Sequence, residues 1–186
     1  DFMGERETGI YGEFSKNNIK KLHISRQPRS TGAFYAAMTQ MLGYKYDSDE
    51  WKVMALSATN KISNKAKSYI EIFKKVTTPG GISPLLKNEF FNTDQPREKY
   101  LTTEKLRRML DTPQKIEDRN SQSYRIWQMD IAAAMQKFIS DYTFNAIKEI
   151  SEKYQSKKEN ICLSGGFFMN CVFNGELQRS KLYENI

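Results

Sequence analysis

The sequence is poor in the residues that most often carry chemistry alone. In 186 residues it has one histidine, His23, and two cysteines, Cys162 and Cys171. A single histidine on an expected strand reads as structural and supports no histidine-based catalysis. Eight residues separate the two cysteines, which suggests neither a disulfide framework nor a metal-ligand spacing. They read as buried thiols in a reducing cytosol. No apolar run approaches the ~18 residues of a membrane-spanning helix. Glycine and proline are sparse, at 10 and 5 residues, which excludes fibrous and low-complexity architectures. The chain starts at Asp1 without an initiator methionine, and Lys181 to Ile186 reads as a strand just beginning. Both ends therefore read as cut, and the lack of a visible signal peptide says nothing.

What is present is ordinary globular composition, with 39% hydrophobic and 27% charged residues. The length allows one domain with a core. The net charge is +7 and the pI about 9.3. The lysines are scattered through polar runs, as at Lys20–Lys21, Lys65–Lys67 and Lys157–Lys158. A solvated surface explains them better than a nucleic-acid groove, because no RNA or DNA motif accompanies them.

Hydrophobic spacing gives an α/β reading. Residues 1–26 alternate in short segments around Gly9, Gly12 and Asn17–Asn18, an antiparallel meander. Residues 30–43 form a helix, with Ser30 or Thr31 as cap, Phe34, Met38, Met41 and Leu42 on one face, and Gly43 as terminator. Trp51 to Leu56 is a short apolar run. Residues 61–128 read as a mostly helical insertion: a helix over Lys65 to Val76, a break at Thr77 to Gly81, and a second helix from Thr102 or Thr103 that stops near Pro113. The clearest helix covers 130–155, with an apolar stripe through Ile131, Met135, Phe138, Tyr142, Ile147 and Ile150, and Asp130 at its start. Asn160 to Leu163 reads as a short buried strand, Ser164 to Gly166 as a tight loop, and Phe167 to Arg179 as a helix.

Three places could carry chemistry. After the expected strand at Ile161 to Leu163, Gly165 and Gly166 let a ligand approach the backbone without Cβ interference. The amides of the following helix suit an anion or a polar ring edge, and Asn170 could add a side-chain amide. An ordinary strand-to-helix turn explains the same residues equally well. Asp1, followed by Gly4 and Glu5, could hold a metal, although a turn-capping aspartate is the commoner explanation. Lys52, after Glu50, sits in an apolar run. It reads as an edge-strand lysine reaching solvent, or as a point charge for a phosphate.

Taken in order, five segments resemble one family. Asp1 to Glu5 (DFMGE) resembles D-G-x-G-E of the nodulation and antibiotic-biosynthesis carbamoyltransferases. Ser30 to Tyr44 (STGAFYAAMTQMLGY) resembles S-L-G-x-x-Y-x-A-x-T-x-x-L-G-F. Asp49 to Leu56 (DEWKVMAL) resembles G-E-Y-K-V-M-G-L. Asp130 to Gln136 (DIAAAMQ) resembles D-I-A-A-S-x-Q. Ile161 to Cys171 (ICLSGGFFMNC) resembles L-C-L-A-G-G-V-A-L-N-C and is the most specific of the five. Residues 61–125 carry little of the match.

The resemblance implies a ribonuclease-H-like lobe of the actin and Hsp70 type, with a mixed sheet. Residues 1–186 would be the second lobe of a carbamoyl-transfer domain truncated at both ends, with 61–128 inserted. It implies ATP-dependent transfer of a carbamoyl group from carbamoyl phosphate, through a carbamoyl-adenylate, to a hydroxyl of a small-molecule acceptor. Gly165, Gly166 and Asn170 would line the adenosine pocket, Glu50 and Lys52 would contact ribose or phosphate, and Asp1 would bind an iron-type divalent metal. Such an enzyme is expected in the cytoplasm, away from membranes and nucleic acid, and a homo-oligomer is among its possible assemblies. Other site residues of the family would fall outside this chain, which alone should be inactive. Ser57 to Asn60 departs from the family's A-P-Y-G, and Phe167 and Phe168 replace small residues where bulk would narrow the pocket. The alternative is thus a non-catalytic nucleotide-binding or scaffold paralogue of the same fold. An RNA-associated protein is the third reading, from charge alone.

Overall fold

The computed structural model describes residues 2–58, 62–93, 99–113 and 120–186. It is a mixed α/β chain with small antiparallel sheets and a large helical share. Strands β1 (Gly9–Ser15) and β2 (Asn18–Ser25) are followed by helices α1 (Thr31–Met41), α2 (Glu50–Ser57) and α3 (Asn64–Val76). The two-residue strands β3 (Thr77–Thr78) and β4 (Leu85–Leu86) come next. Helices α4 (Glu104–Met109), α5 (Gln122–Lys153) and α6 (Cys171–Ser180) complete the order, with a 3-10 turn at Gly166–Met169 before α6. The chain forms two compact units: residues 1–33, 79–85 and 140–186, and residues 34–78 and 86–139.

The second unit is built around aromatic rings. Phe34 packs edge-on against Phe73 at 5.3 Å between centroids and lies 5.3 Å from Phe138 and 6.2 Å from Phe91. Each such pair adds about 0.5–1.5 kcal/mol beyond area burial. Two of its helices start on side-chain caps. Ser63 caps α3 by accepting from the Ala66 N–H at 2.9 Å, and Thr103 caps α4. The Leu42 carbonyl, at the end of α1, accepts from the Tyr124 hydroxyl at 3.1 Å and the Gln128 amide at 2.7 Å. Gly43, at φ +88, takes the left-handed conformation expected of it.

The helix expected at 130 begins eight residues earlier, at Gln122. Asp130 is therefore neither cap nor first-turn anion. It is buried inside α5, where its carboxylate accepts from the Ser63 hydroxyl at 2.7 Å, supporting the cap of α3 instead. Trp51 to Leu56 lies within a helix, so Lys52 is not on an edge strand. Acidic Glu50 in its first turn suits the positive helix end.

In the first unit, β1 and β2 pair antiparallel, with Ile10 opposite Ile24 and Phe14 opposite Ile19, and a bulge at Tyr11/Gly12. Lys16, at φ +47, makes the turn. Among the described residues this is a hairpin rather than a longer meander, because Phe2–Glu7 folds as a turn closed by the Gly4 N–H on the Glu7 carbonyl at 2.8 Å. The Tyr11 and Tyr183 hydroxyls meet at 3.0 Å. Asn160 to Leu163 is not a buried strand. It makes one parallel bridge, Asn160 to Asn185, and stays exposed or half-exposed because no second neighbour pairs with it among the described residues.

Candidate functional site

The strand-stub, diglycine and helix segment lies wholly in the first unit. Gly165 adopts φ +102, a conformation that L side chains resist. The chain then turns through Gly166–Met169, closed by the Phe168 N–H on the Gly165 carbonyl at 3.1 Å. Gly165 and Gly166 are exposed. The helix expected from Phe167 to Arg179 is interrupted at Asn170, which leaves helical geometry at ψ +93 and starts α6 afresh. Its Oδ1 accepts from the Phe173 N–H at 3.1 Å. Asn170 is buried and its oxygen is engaged in capping, so any ligand meets glycine backbone before it meets this side chain.

The aromatic departures divide. Phe167 is buried, 5.4 Å from Phe173 and 5.4 Å from Phe168, and contributes to the core of this unit. Its ring does not occupy the outer face of the loop. Met169 is 82% exposed. Cys162 and Cys171 form no disulfide and are both exposed, which corrects the expectation of buried thiols. One lies on the half-open bridge segment and the other at the first position of α6, where neither has a layer above it.

Glu50 and Lys52 are neighbours in the second unit, and both are tied locally. Glu50 Oε1 accepts from the Asp47 N–H at 2.7 Å. Lys52 Nζ pairs with Asp49 Oδ1 at 2.8 Å and lies 5.4 Å from the centre of the Trp51 ring. The Lys52 hydrogen bond, and then the Lys45 amide, hold the Asp49 carboxyl below its ordinary range. Asp1 lies outside the described residues, as do Asn60 and Lys61. Among the described residues no group of three or more His, Cys, Asp or Glu side chains is gathered as a metal site. Of the carboxylates that follow Asp1, Glu7 pairs with Arg26 at 3.6 Å.

A second feature of the first unit was read only as a helix breaker. Gly80 and Gly81, at φ +126 and +71, are held by the Tyr142 hydroxyl, which accepts from the Gly80 N–H at 3.1 Å, and by Arg29, which donates to the Gly80 carbonyl at 2.6 Å. A Cβ on Gly81 would fall 2.2 Å from His23 Nε2, so the imidazole packs on bare backbone. Burial lowers the His23 pKa, and Lys153 and Arg29 lower it further. The adjacent glycines were the available signal, but nothing in their spacing named Arg29, Tyr142 or His23.

Fold and loop thus define a mixed α/β protein that presents a glycine corner leading through a 3-10 turn into α6. The chain belongs to the carbamoyltransferase N-terminal family, whose model matches residues 1–186. Over 186 residues it is 24% identical to the nodulation protein NolNO of Sinorhizobium fredii, covering 100% of this chain and 24% of that protein. It is 26% identical over 191 residues to the uncharacterized protein sll1178 of a Synechocystis strain, covering 100% of this chain and 29% of that one. It is 25% identical over 166 residues to the uncharacterized protein MJ1051 of Methanocaldococcus jannaschii, covering 88% and 28%. The chain therefore spans between 24% and 29% of the length of these relatives. No helix among the described residues is long and apolar enough to cross a membrane.

Proposed function

We propose that this chain is the nucleotide-binding lobe of a cytoplasmic, ATP-dependent carbamoyltransferase, with the ribonuclease-H-like topology of the actin type and residues 61–128 as an insertion. In the full reaction, water hydrolyses carbamoyl phosphate to carbamate and phosphate, and a carbamate oxygen then attacks the α-phosphorus of ATP as pyrophosphate leaves. A hydroxyl of a small acceptor then takes the carbamoyl carbon and AMP departs. The observation that carries this reading is the exposed Gly165–Gly166 corner, at φ +102 and without Cβ atoms, in a chain matched throughout by the family. Backbone there can approach a nucleoside closely.

Glu50 and Lys52 are the proposed ribose and phosphate contacts. Lys52 would have to exchange Asp49 for the ligand, giving up a surface pairing that solvent screens. Asp1 is the proposed ligand of an iron-type metal. The described residues supply no complete donor set, so such a metal would need donors beyond them. A bound metal would supply positive charge at the nucleotide phosphate.

Gly166→Val in the full-length protein tests the corner. Gly166 does not share the positive φ of Gly165, so the change adds bulk with little backbone strain. ATP affinity should fall by at least tenfold with the unfolding midpoint unchanged, and unaltered affinity removes the loop from the site. Pyrophosphate–ATP exchange that depends on carbamoyl phosphate separates the enzyme from a nucleotide-binding scaffold, which would bind ATP and exchange nothing.

A further inference from the structure

Asn174 lies one turn into α6, where its N–H bonds the Asn170 carbonyl at 3.0 Å. Asparagine is a weak helix former, because its amide competes with the backbone. Here the amide has other work. Its Nδ2 donates to the Phe168 carbonyl at 2.7 Å, and so ties the 3-10 turn that follows Gly165 to the helix. A carbonyl can only accept, so this contact fixes which end of the amide faces the turn. The other end is Oδ1. It is shielded from water, and no donor reaches it. A buried amide oxygen normally has a partner, and leaving it bare is destabilising. Asn170, by contrast, has its Oδ1 filled by the Phe173 N–H at 3.1 Å. The corner therefore borders one satisfied amide oxygen and one that lacks a donor.

We infer that Asn174 is a specificity-determining residue of the proposed nucleotide site, whose Oδ1 accepts a hydrogen bond from the nucleoside. The inference rests on the nucleotide-binding reading above and adds to it the part of the ligand that this residue reads. Phosphate oxygens and adenine ring nitrogens are acceptors, and an acceptor cannot fill an acceptor. Adenosine carries donors in two places, the 6-amino group and the ribose hydroxyls. An oxygen out of water discriminates well between ligands, because one without the donor leaves it bare. Shielding also means that the ligand reaches Oδ1 by parting the turn from α6. Gly165 and Gly166 flank that turn, exposed and without side chains, and the Asn174 side chain itself is only half-buried.

The test pairs changes in the ligand with changes in the side chain, on the full-length protein. ATP is titrated beside purine riboside triphosphate, which lacks the 6-amino group, and beside 2′-deoxy-ATP and 3′-deoxy-ATP, which each lack one hydroxyl. At least one analogue should bind about tenfold more weakly than ATP, the scale of one hydrogen bond. In Asn174→Ala the same analogue should come within about twofold of ATP, because the oxygen that told them apart is gone. Asn174→Ser, too short to reach either partner, repeats the comparison if the alanine variant does not fold. The analogue that loses affinity names the donor as base or sugar. Equal affinities for ATP and all the analogues in the parent protein would overturn the inference and leave nucleotide binding intact. Discrimination that survives unchanged in the variant would overturn it as well, and would reduce Asn174 to a tie between turn and helix. If the parent protein binds none of these nucleotides, the nucleotide reading fails and the inference falls with it.

Discussion

The two units differ in what they bury. The second buries rings and branched side chains around Phe34, with few polar groups, of which Asp130 and Gln136 carry the clearest partners: Ser63 at 2.7 Å and the Tyr35 hydroxyl at 3.0 Å. The first buries hydroxyls almost as readily as hydrocarbon: Thr8, Ser25, Ser30, Thr31, Ser83 and Thr143. It leaves Ile10, Phe14 and Ile19 of its hairpin exposed. A packed aromatic core fixes a fold with dispersion and water exclusion, which tolerate rearrangement poorly. A hydroxyl-rich interior fixes backbone paths one hydrogen bond at a time. Segment 2–8, held through Thr8 and Ser30, belongs to the second kind of construction, whereas the proposed nucleotide corner rests on the packing of Phe167 against Phe168 and Phe173.

That contrast can be broken most severely at Phe34. Phe34→Ala should destabilise the protein by about 3–5 kcal/mol, read by chemical denaturation, and a loss under 1 kcal/mol would mean that the aromatic cluster does not hold the second unit. Asp130→Ala comes next. It strips the half-buried Ser63 hydroxyl of its carboxylate partner, and a loss of about 1 kcal/mol is expected. Asp130→Asn should cost less, because it retains an acceptor for Ser63. The first unit should answer to pH instead. His23 is held below its ordinary pKa, so the unfolded chain takes up the proton first. Its stabilising share is complete above about 6.5 and is lost as pH falls toward the lower folded value. The unfolding midpoint should drop between pH 7 and 5, and His23→Gln should flatten that drop. An identical pH profile in the variant would dissociate the imidazole from the Gly80–Gly81 loop. Least of all, Lys65→Ala removes an exposed pair with Asp111 and should change stability by under about 0.5 kcal/mol.

The sequence was most legible where local pattern and packing agree. Helix α1 was expected at 30–43 and runs Thr31–Met41, because Phe34, Met38, Met41 and Leu42 share a buried face and Gly43 ends it. Helix α3 and its following break were equally plain. The start of α5 was missed because Gln122 to Gln128 is polar and aromatic without a continuous apolar stripe. Its burial depends on Trp127, whose indole N–H reaches the Leu110 carbonyl at 2.7 Å. That distant partner is invisible in a window. Lys52 misled for a related reason: six residues are too few for periodicity to separate helix from strand. At the proposed site, type and order in the sequence single out the glycines and Asn170 as candidates. The capping role of Asn170 and the inward turn of Phe167 needed coordinates.

The two exposed thiols have a practical consequence. Cys162 and Cys171 bracket the glycine corner and need no engineering to be reached. A fluorophore attached to either would report ligand arrival optically, on the native chain. Air oxidation in storage would start at the same two sulfurs, so reductant belongs in every buffer used to handle this protein.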